Sequence, residues 1–187
     1  MTRPRPASEP LELDVETFPA DHPAIRGQML TEYARAALGA HGGSPCSLNA
    51  HCRDSIRPAL ISFRPPDPRS HDTVQRPVIV EFGAVVIGGQ LIRATEGLQI
   101  TRVARRGDRI DYFLGQQRGD EGTLLEVSGT DKGSLDDLGH RKQRQLLESF
   151  YARPPFSRPG FVSVTRFADP AASRLIAVPA IEATKLS

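Results

Sequence analysis

Asp111 and Glu126 are the two acids whose setting in the chain could do chemistry. Asp111 lies in Arg109-Ile110-Asp111-Tyr112-Phe113-Leu114-Gly115, and Glu126 lies in Gly122-Thr123-Leu124-Leu125-Glu126-Val127-Ser128-Gly129-Thr130. Both runs alternate with the period of two that a strand imposes on its side chains. That period sends Asp111 and Phe113 to one face and Ile110, Tyr112 and Leu114 to the other. In the second run Leu124, Glu126 and Ser128 share a face, opposite Thr123, Leu125 and Val127. A carboxylate in mid-strand is costly to bury unless it is paired or binds a cation. Two of them, on strands close enough in sequence to pair, point to a shared acidic site. The competing reading places both acids on the solvated face of an antiparallel meander.

Basic residues gather nearby. Arg102, Arg105, Arg106 and Arg109 cluster around the first hairpin, and His140, Arg141, Lys142 and Arg144 form a run on a helix. Such groups can hold phosphates without reading sequence, or form an ordinary solvated face. Lys132, Lys142 and Lys185 are the only lysines, so the positive charge is almost all arginine, the better bidentate phosphate ligand. The net charge of +2 does not by itself imply a polyanionic partner. Cys46 and Cys52, with His41 and His51 close by, match no zinc-ligand spacing, and the expectation is two reduced thiols. Ser128 and Ser163 lack the His and acid of a triad. No Gly-rich loop followed by Lys-Ser/Thr marks a nucleotide site.

At 187 residues, with 39% hydrophobic and 25% charged residues, the chain can build one sizeable core. Residues 1–20 read as a flexible tail without the apolar stretch of a secretory signal. The longest apolar run, Val78 to Ile87, is short for a membrane span and contains Glu81. These features predict a cytoplasmic protein with no membrane partner.

The elements that must position the acids follow from periodicity. A helix is expected over Ala24–Ala40, where Ile25, Met29, Tyr33, Ala36 and Ala37 form one stripe, stopped by Gly42-Gly43. Ser44–Pro77 carries prolines at 45, 58, 65, 66, 68 and 77 and reads as irregular, with strand-like pieces at Cys46–Cys52 and Ala59–Phe63. Val78–Thr95 opens on β-branched residues, but its length and its Phe82, Val85, Val86, Gly89, Ile92 stripe favour a helix ended by Gly97. Its glycines suit close packing on a sheet. Strands are expected at Leu98–Ala104, Arg109–Gln116 and Gly122–Gly129, joined by Gly/Asp turns. A helix from Ser134, its N-cap, to Tyr151 follows, then strands at Gly160–Phe167 and Arg174–Val178. The boundaries implied are a helical and Pro-rich segment over 21–77, an α/β core over 78–180 and a tail over 181–187.

This order, α-β-β-β-α-β with an N-terminal helical extension, and its two strand acids resemble the core of the PD-(D/E)XK, or restriction-endonuclease-like, superfamily. The resemblance covers Val78 to Phe167. It implies a central mixed sheet flanked by helices, an α/β (α+β) fold. It also implies a Mg²⁺ site (Mn²⁺ as substitute) at Asp111 and Glu126, with the Val127 carbonyl and with Glu81 or Glu96 as a third acid. The partner would be DNA or RNA, held by Arg105, Arg106, Arg109, Arg141, Lys142 and Arg144. One departure bears on activity: Ser128 stands where the superfamily carries its lysine, and a serine supplies no positive charge to the attacked phosphate. Lys132, in a flexible turn, or Lys142, on the following helix, would have to reach back. The stretches His22-Pro23-Ala24-Ile25-Arg26-Gly27, Asp111–Gly115 and Leu125–Gly129 also resemble a family of uncharacterised bacterial proteins, a likeness that carries no function.

Two function classes follow. One is a metal-dependent nuclease, or a nuclease subunit of a bacterial defence or mobile-element system, with Asp111, Glu126, Ser128 and Lys132 at its catalytic centre. The other is a catalytically silent protein that keeps the fold to bind nucleic acid or another protein subunit. In an assembly, residues 44–77 and the tails could be ordered by a partner chain.

Overall fold

The structure is a computed structural model that describes residues 9–52, 55–168 and 171–181. In chain order the elements are β1 (Leu11–Asp14), α1 (Phe18–Asp21), α2 (Gly27–Gly39), β2 (Cys46–Cys52), β3 (Ser55–Ser62), α3 (Pro68–Thr73), α4 (Arg76–Glu96), β4 (Gln99–Val103), β5 (Tyr112–Gly115), β6 (Thr123–Thr130), α5 (Leu135–Leu147), β7 (Gly160–Arg166) and β8 (Ala172–Val178). All the strands join one mixed sheet in the order β1-β3-β2-β8-β7-β6-β5-β4. The fold is therefore mixed α/β, and the run α4-β4-β5-β6-α5-β7 has the helix, three strands, helix, strand order expected from the sequence.

The sheet's connectivity is set by where helices intervene. Short turns join β4, β5 and β6 into an antiparallel meander. Helix α5 carries the chain back over one face, so β7 lies parallel to β6, with Glu126 opposite Val162. Strand β8 then pairs antiparallel with β7 and parallel with β2.

Helix α4 runs from Arg76 to Glu96, and Gly97 ends it in the left-handed conformation, φ 70°, with its N–H donated to the Arg93 carbonyl. Its β-branched residues do not make a strand, because the helix is buried between α2 and the sheet, and packing overrides propensity. A Cβ on Gly88 would stand 2.5 Å from Ser163 Oγ, so the glycines do admit close helix–sheet contact. By length and hydropathy this 21-residue helix could cross a membrane, but most of it is buried inside the protein. It is a core helix, longer than the Val78–Ile87 run suggests.

Two expectations about the N-terminal part are corrected. The tail expected over residues 1–20 includes strand β1, whose Leu11 and Leu13 alternate inward and pair β1 parallel to β3. The first eight residues, like the 182–187 end of the expected C-terminal tail, lie outside the described residues. The stretch read as irregular contains the β2–β3 hairpin, paired from Cys46↔Ile61 to Cys52↔Ser55. The strand-like pieces expected at Cys46–Cys52 and Ala59–Phe63 are β2 and the second half of β3, and what the prolines hid is the start of β3: Pro58 sits in a strand, but β1 pairs with β3 only from Ala59 onward, so Pro58 lies past the end of β1. Cys46 and Cys52 are both free.

The sheet separates two apolar clusters. Tyr112, Leu114, Leu125 and Val127 pack toward α4 and α2, whereas Phe113, Leu124, Val162 and Val164 pack toward α5 through Leu146. Among these apolar residues the faces read from period-two alternation hold except at Ile110, which joins the Phe113 cluster just before β5 begins.

Candidate active site

Asp111 immediately precedes β5 and Glu126 lies at the middle of β6. Pairing of Tyr112 with Leu125 sets the two acids side by side. The Asp111 N–H donates to the Leu125 carbonyl at 3.2 Å, and Asp111 Oδ2 accepts the Val127 N–H at 2.8 Å. The aspartate is thereby laid across β6, beside Glu126. Glu126 is fully buried, while the Asp111 side chain is 33% exposed, so the site opens to solvent on the aspartate side.

The cation comes from α5. Ser134 starts this helix by accepting the Asp137 N–H, and Leu146 anchors its far end beneath the sheet. Between them Lys142 points inward. Its ammonium donates to Glu126 Oε2 at 2.9 Å and to Asp111 Oδ2 at 3.2 Å. Three residues along the same face, Gln145 Nε2 donates to Glu126 Oε1 at 3.3 Å.

Burial pushes the Glu126 pKa up, to about 8, and the Asp111 charge adds to this while Lys142 opposes it. Burial acts to lower the pKa of Lys142, but the Asp111 and Glu126 charges together outweigh it and hold the amine protonated. The buried Glu126 carboxyl therefore sits beside a lysine that stays cationic. The Tyr112 phenol, behind this cluster, is pushed up by burial and by the nearby Asp111 and Glu81 charges.

Glu81 and Ser128 form the neighbouring layer. Glu81, near the start of α4, accepts from Ser128 Oγ at 3.1 Å and from the Gly129 N–H at 3.0 Å. Gly129 makes this possible: a Cβ there would collide with the Val80 carbonyl, so only glycine lets α4 ride this close to β6.

No protein-family model, curated protein or solved structure matches this chain.

The donors suit a hard divalent cation. Two carboxylates converge on one point, now held by the Lys142 ammonium, and Mg²⁺ commonly takes one or two carboxylates with water and substrate oxygens. Among the described residues no group of three His, Cys, Asp or Glu side chains is arranged to hold a metal, so Glu81 does not complete a triad. Its carboxylate is instead committed to Ser128 and Gly129. Glu96, the other acid considered, lies at the opposite end of α4, where its charge acts on Cys52.

The structure brings together Asp111, Glu126 and Lys142, with Glu81 and Ser128 adjacent. The solvated-meander reading fails at Glu126, which no water reaches. Lys142 reaches both acids, whereas Lys132 is exposed in the turn after β6. Lys142 is correspondingly withdrawn from the basic helix face on which Arg141 and Arg144 are exposed. Arg105 and Arg106 are exposed in the β4–β5 turn, and Arg109 pairs with Glu148 at 3.5 Å. Gln145, which the sequence places on a helix as a surface glutamine able to contact nucleic acid, instead belongs to the acidic cluster. The signal was available, since Lys142 and Gln145 are three apart on the face that also carries Leu146 and Leu138.

Proposed function

We propose that this chain is a metal-dependent nuclease of PD-(D/E)XK type, hydrolysing nucleic-acid phosphodiesters, with its lysine delivered by α5 instead of by the strand. The observation that carries this reading is the convergence of Lys142 on both Glu126 and Asp111. The α4-β4-β5-β6-α5-β7 order, with β7 parallel to β6, supports it as well.

Asp111 and Glu126 would hold Mg²⁺ or Mn²⁺, which when bound lowers the pKa of water and neutralises phosphate charge. Asp111, on the open side, faces the incoming substrate. With the metal at the point its ammonium now holds, Lys142 would stand aside on its flexible stem and keep a positive charge next to the acids, where it can orient the attacking water and balance charge building on the phosphoryl oxygens. Gln145 holds Glu126 in one rotamer, and Val127 does the same for Asp111 through its backbone N–H. Glu81 fixes Ser128 and the end of β6.

A second reading has its own support. Lys142 already pairs with both acids, so the cluster is satisfied as a structural ion pair in a silent binding or assembly subunit. Cleavage of single- and double-stranded DNA and RNA with Mg²⁺ or Mn²⁺ separates the two. The nuclease reading expects activity that is lost in Asp111→Ala and Glu126→Ala. Activity surviving both substitutions, or no cleavage of any substrate, would favour the silent subunit or another site.

A further inference from the structure

Beyond α5, the face that carries Asp111 continues into a row of rings. Phe113, two residues from Asp111 and about 7 Å along the strand, contacts Tyr151 edge-on with centroids 5.0 Å apart. Tyr151 in turn meets Phe150 and Phe156, each at 5.6 Å, and those two rings are 5.0 Å from one another. The row therefore leads from the buried core to solvent in steps of about one ring. At its outer end Phe150 is 61% and Phe156 44% exposed. Burying them would have been the default for side chains of this size, so paired exposed rings mark a binding surface.

The charge beside these rings is positive. The Arg158 guanidinium lies 5.2 Å from the Tyr151 centroid, 5.6 Å from Phe113 and 5.9 Å from Phe156. Among the described residues it has no carboxylate partner, and its Nη1 is buried without a hydrogen bond. Arg153, three residues after Phe150, is exposed and spends its Nε on the Leu147 carbonyl. The neighbouring Arg109 is paired at 3.5 Å with Glu148, a contact open to solvent on both sides. Exposed rings flanked by arginines, one of them unpaired, complement a ligand with flat π faces joined by phosphates.

We propose that Phe150 and Phe156 form a stacking platform for unpaired bases, with Arg158 and Arg153 taking the adjacent phosphates, so that the substrate is single-stranded nucleic acid. This proposal deepens the nuclease reading and rests on it for the meaning of substrate. In a duplex the base faces are already stacked on one another and unavailable to the rings; in a single strand they are free. The platform reads no sequence, because every base offers a π face.

The test is equilibrium binding of labelled oligonucleotides in EDTA, where cleavage cannot interfere. The probes are single-stranded DNA, single-stranded RNA, the matching duplex, and a single strand made of abasic sugar phosphates. The proposal expects the single strands to bind about tenfold or more tighter than the duplex and the abasic strand. It also expects Phe150→Ala/Phe156→Ala to lose about tenfold or more of that affinity, with Phe150→Leu/Phe156→Leu as a second variant that keeps the apolar bulk and removes only the π faces. Thermal melts of both variants establish that they fold. Equal affinity for the abasic strand, or affinity unchanged in the leucine variant, would overturn the platform, as would capture of nothing but duplex. Binding through the two phenylalanines without any metal-dependent cleavage would sustain the platform while removing the nuclease reading; cleavage that depends on Asp111 with no strand preference would do the reverse.

Discussion

Lys142 and Glu126 are 16 residues apart in the chain, and their side chains meet at 2.9 Å. The contact crosses from a helix to the centre of the sheet and supplies the positive charge that the strand itself lacks at Ser128. A charge beside a fully buried carboxylate is first a stability requirement and then a chemical opportunity. The two can be separated by experiment.

Lys142 rather than Lys132 should carry activity. With metal present, Lys142→Ala is expected to reduce cleavage about 10²-fold or more, as removal of one charge-stabilising donor commonly does. Lys132→Ala, in an exposed turn, should cleave like the wild type. Single-turnover rates on a saturating substrate measure this, and the reverse pattern would return the lysine role to the turn.

The same lysine should matter for folding. Lys142→Met leaves the buried Glu126 without its ammonium partner, and in urea unfolding at about pH 9, above the Glu126 pKa of about 8, the expected loss is about 3 kcal/mol. Adding Glu126→Gln removes the charge that was stranded, so the double variant should recover most of that loss. A double variant no more stable than Lys142→Met would mean that packing, not charge, sets the cost.

His22 gives the fold a pH dependence that is independent of the acidic site. It is fully buried, its Nδ1 accepts the Ile100 N–H at 2.9 Å, and burial lowers its pKa to about 4. The folded protein needs the neutral ring, whereas the unfolded chain protonates near the usual 6.5. Its contribution is therefore complete above about pH 6.5 and lost as pH falls toward 4, by about 3 kcal/mol in all. Urea melts between these limits should show wild type losing more stability than His22→Gln, whose amide oxygen can still accept the Ile100 N–H. Parallel pH profiles for the two proteins would refute the assignment.

Gly129→Ala should cost about 2–3 kcal/mol, because the new methyl must push against the Val80 backbone, which cannot yield as a side-chain tip can. The displaced α4 would also draw Glu81 away from Ser128. Gly42→Ala, with nothing within 4 Å of the added carbon, is the matched control and should change stability by less than about 0.5 kcal/mol. Denaturant midpoints of the two variants make the comparison.

What the sequence determined alone was local and periodic. Alternation around Asp111 and Glu126 placed each acid on the correct face, Ser134 announced the start of α5, and Gly97 announced the end of α4. These signals are legible because they depend on a few neighbouring residues and on backbone geometry common to all chains. The strands of the β2–β3 hairpin were legible at Cys46–Cys52 and from Ala59, but the start of β3 was obscured because Pro58 argues locally against a strand, and β1 because a four-residue strand carries little pattern of its own. Only the tertiary structure decided that Glu126 is dry, that Gln145 belongs to the site and that Lys142 faces the acids while Arg141 and Arg144 face solvent. Those outcomes depend on how α5 is rotated and how deeply it seats on β6 and β7. That docking is set by side chains distant in sequence, Leu146 against Gly160 and Leu124 among them, and no spacing within the helix encodes it.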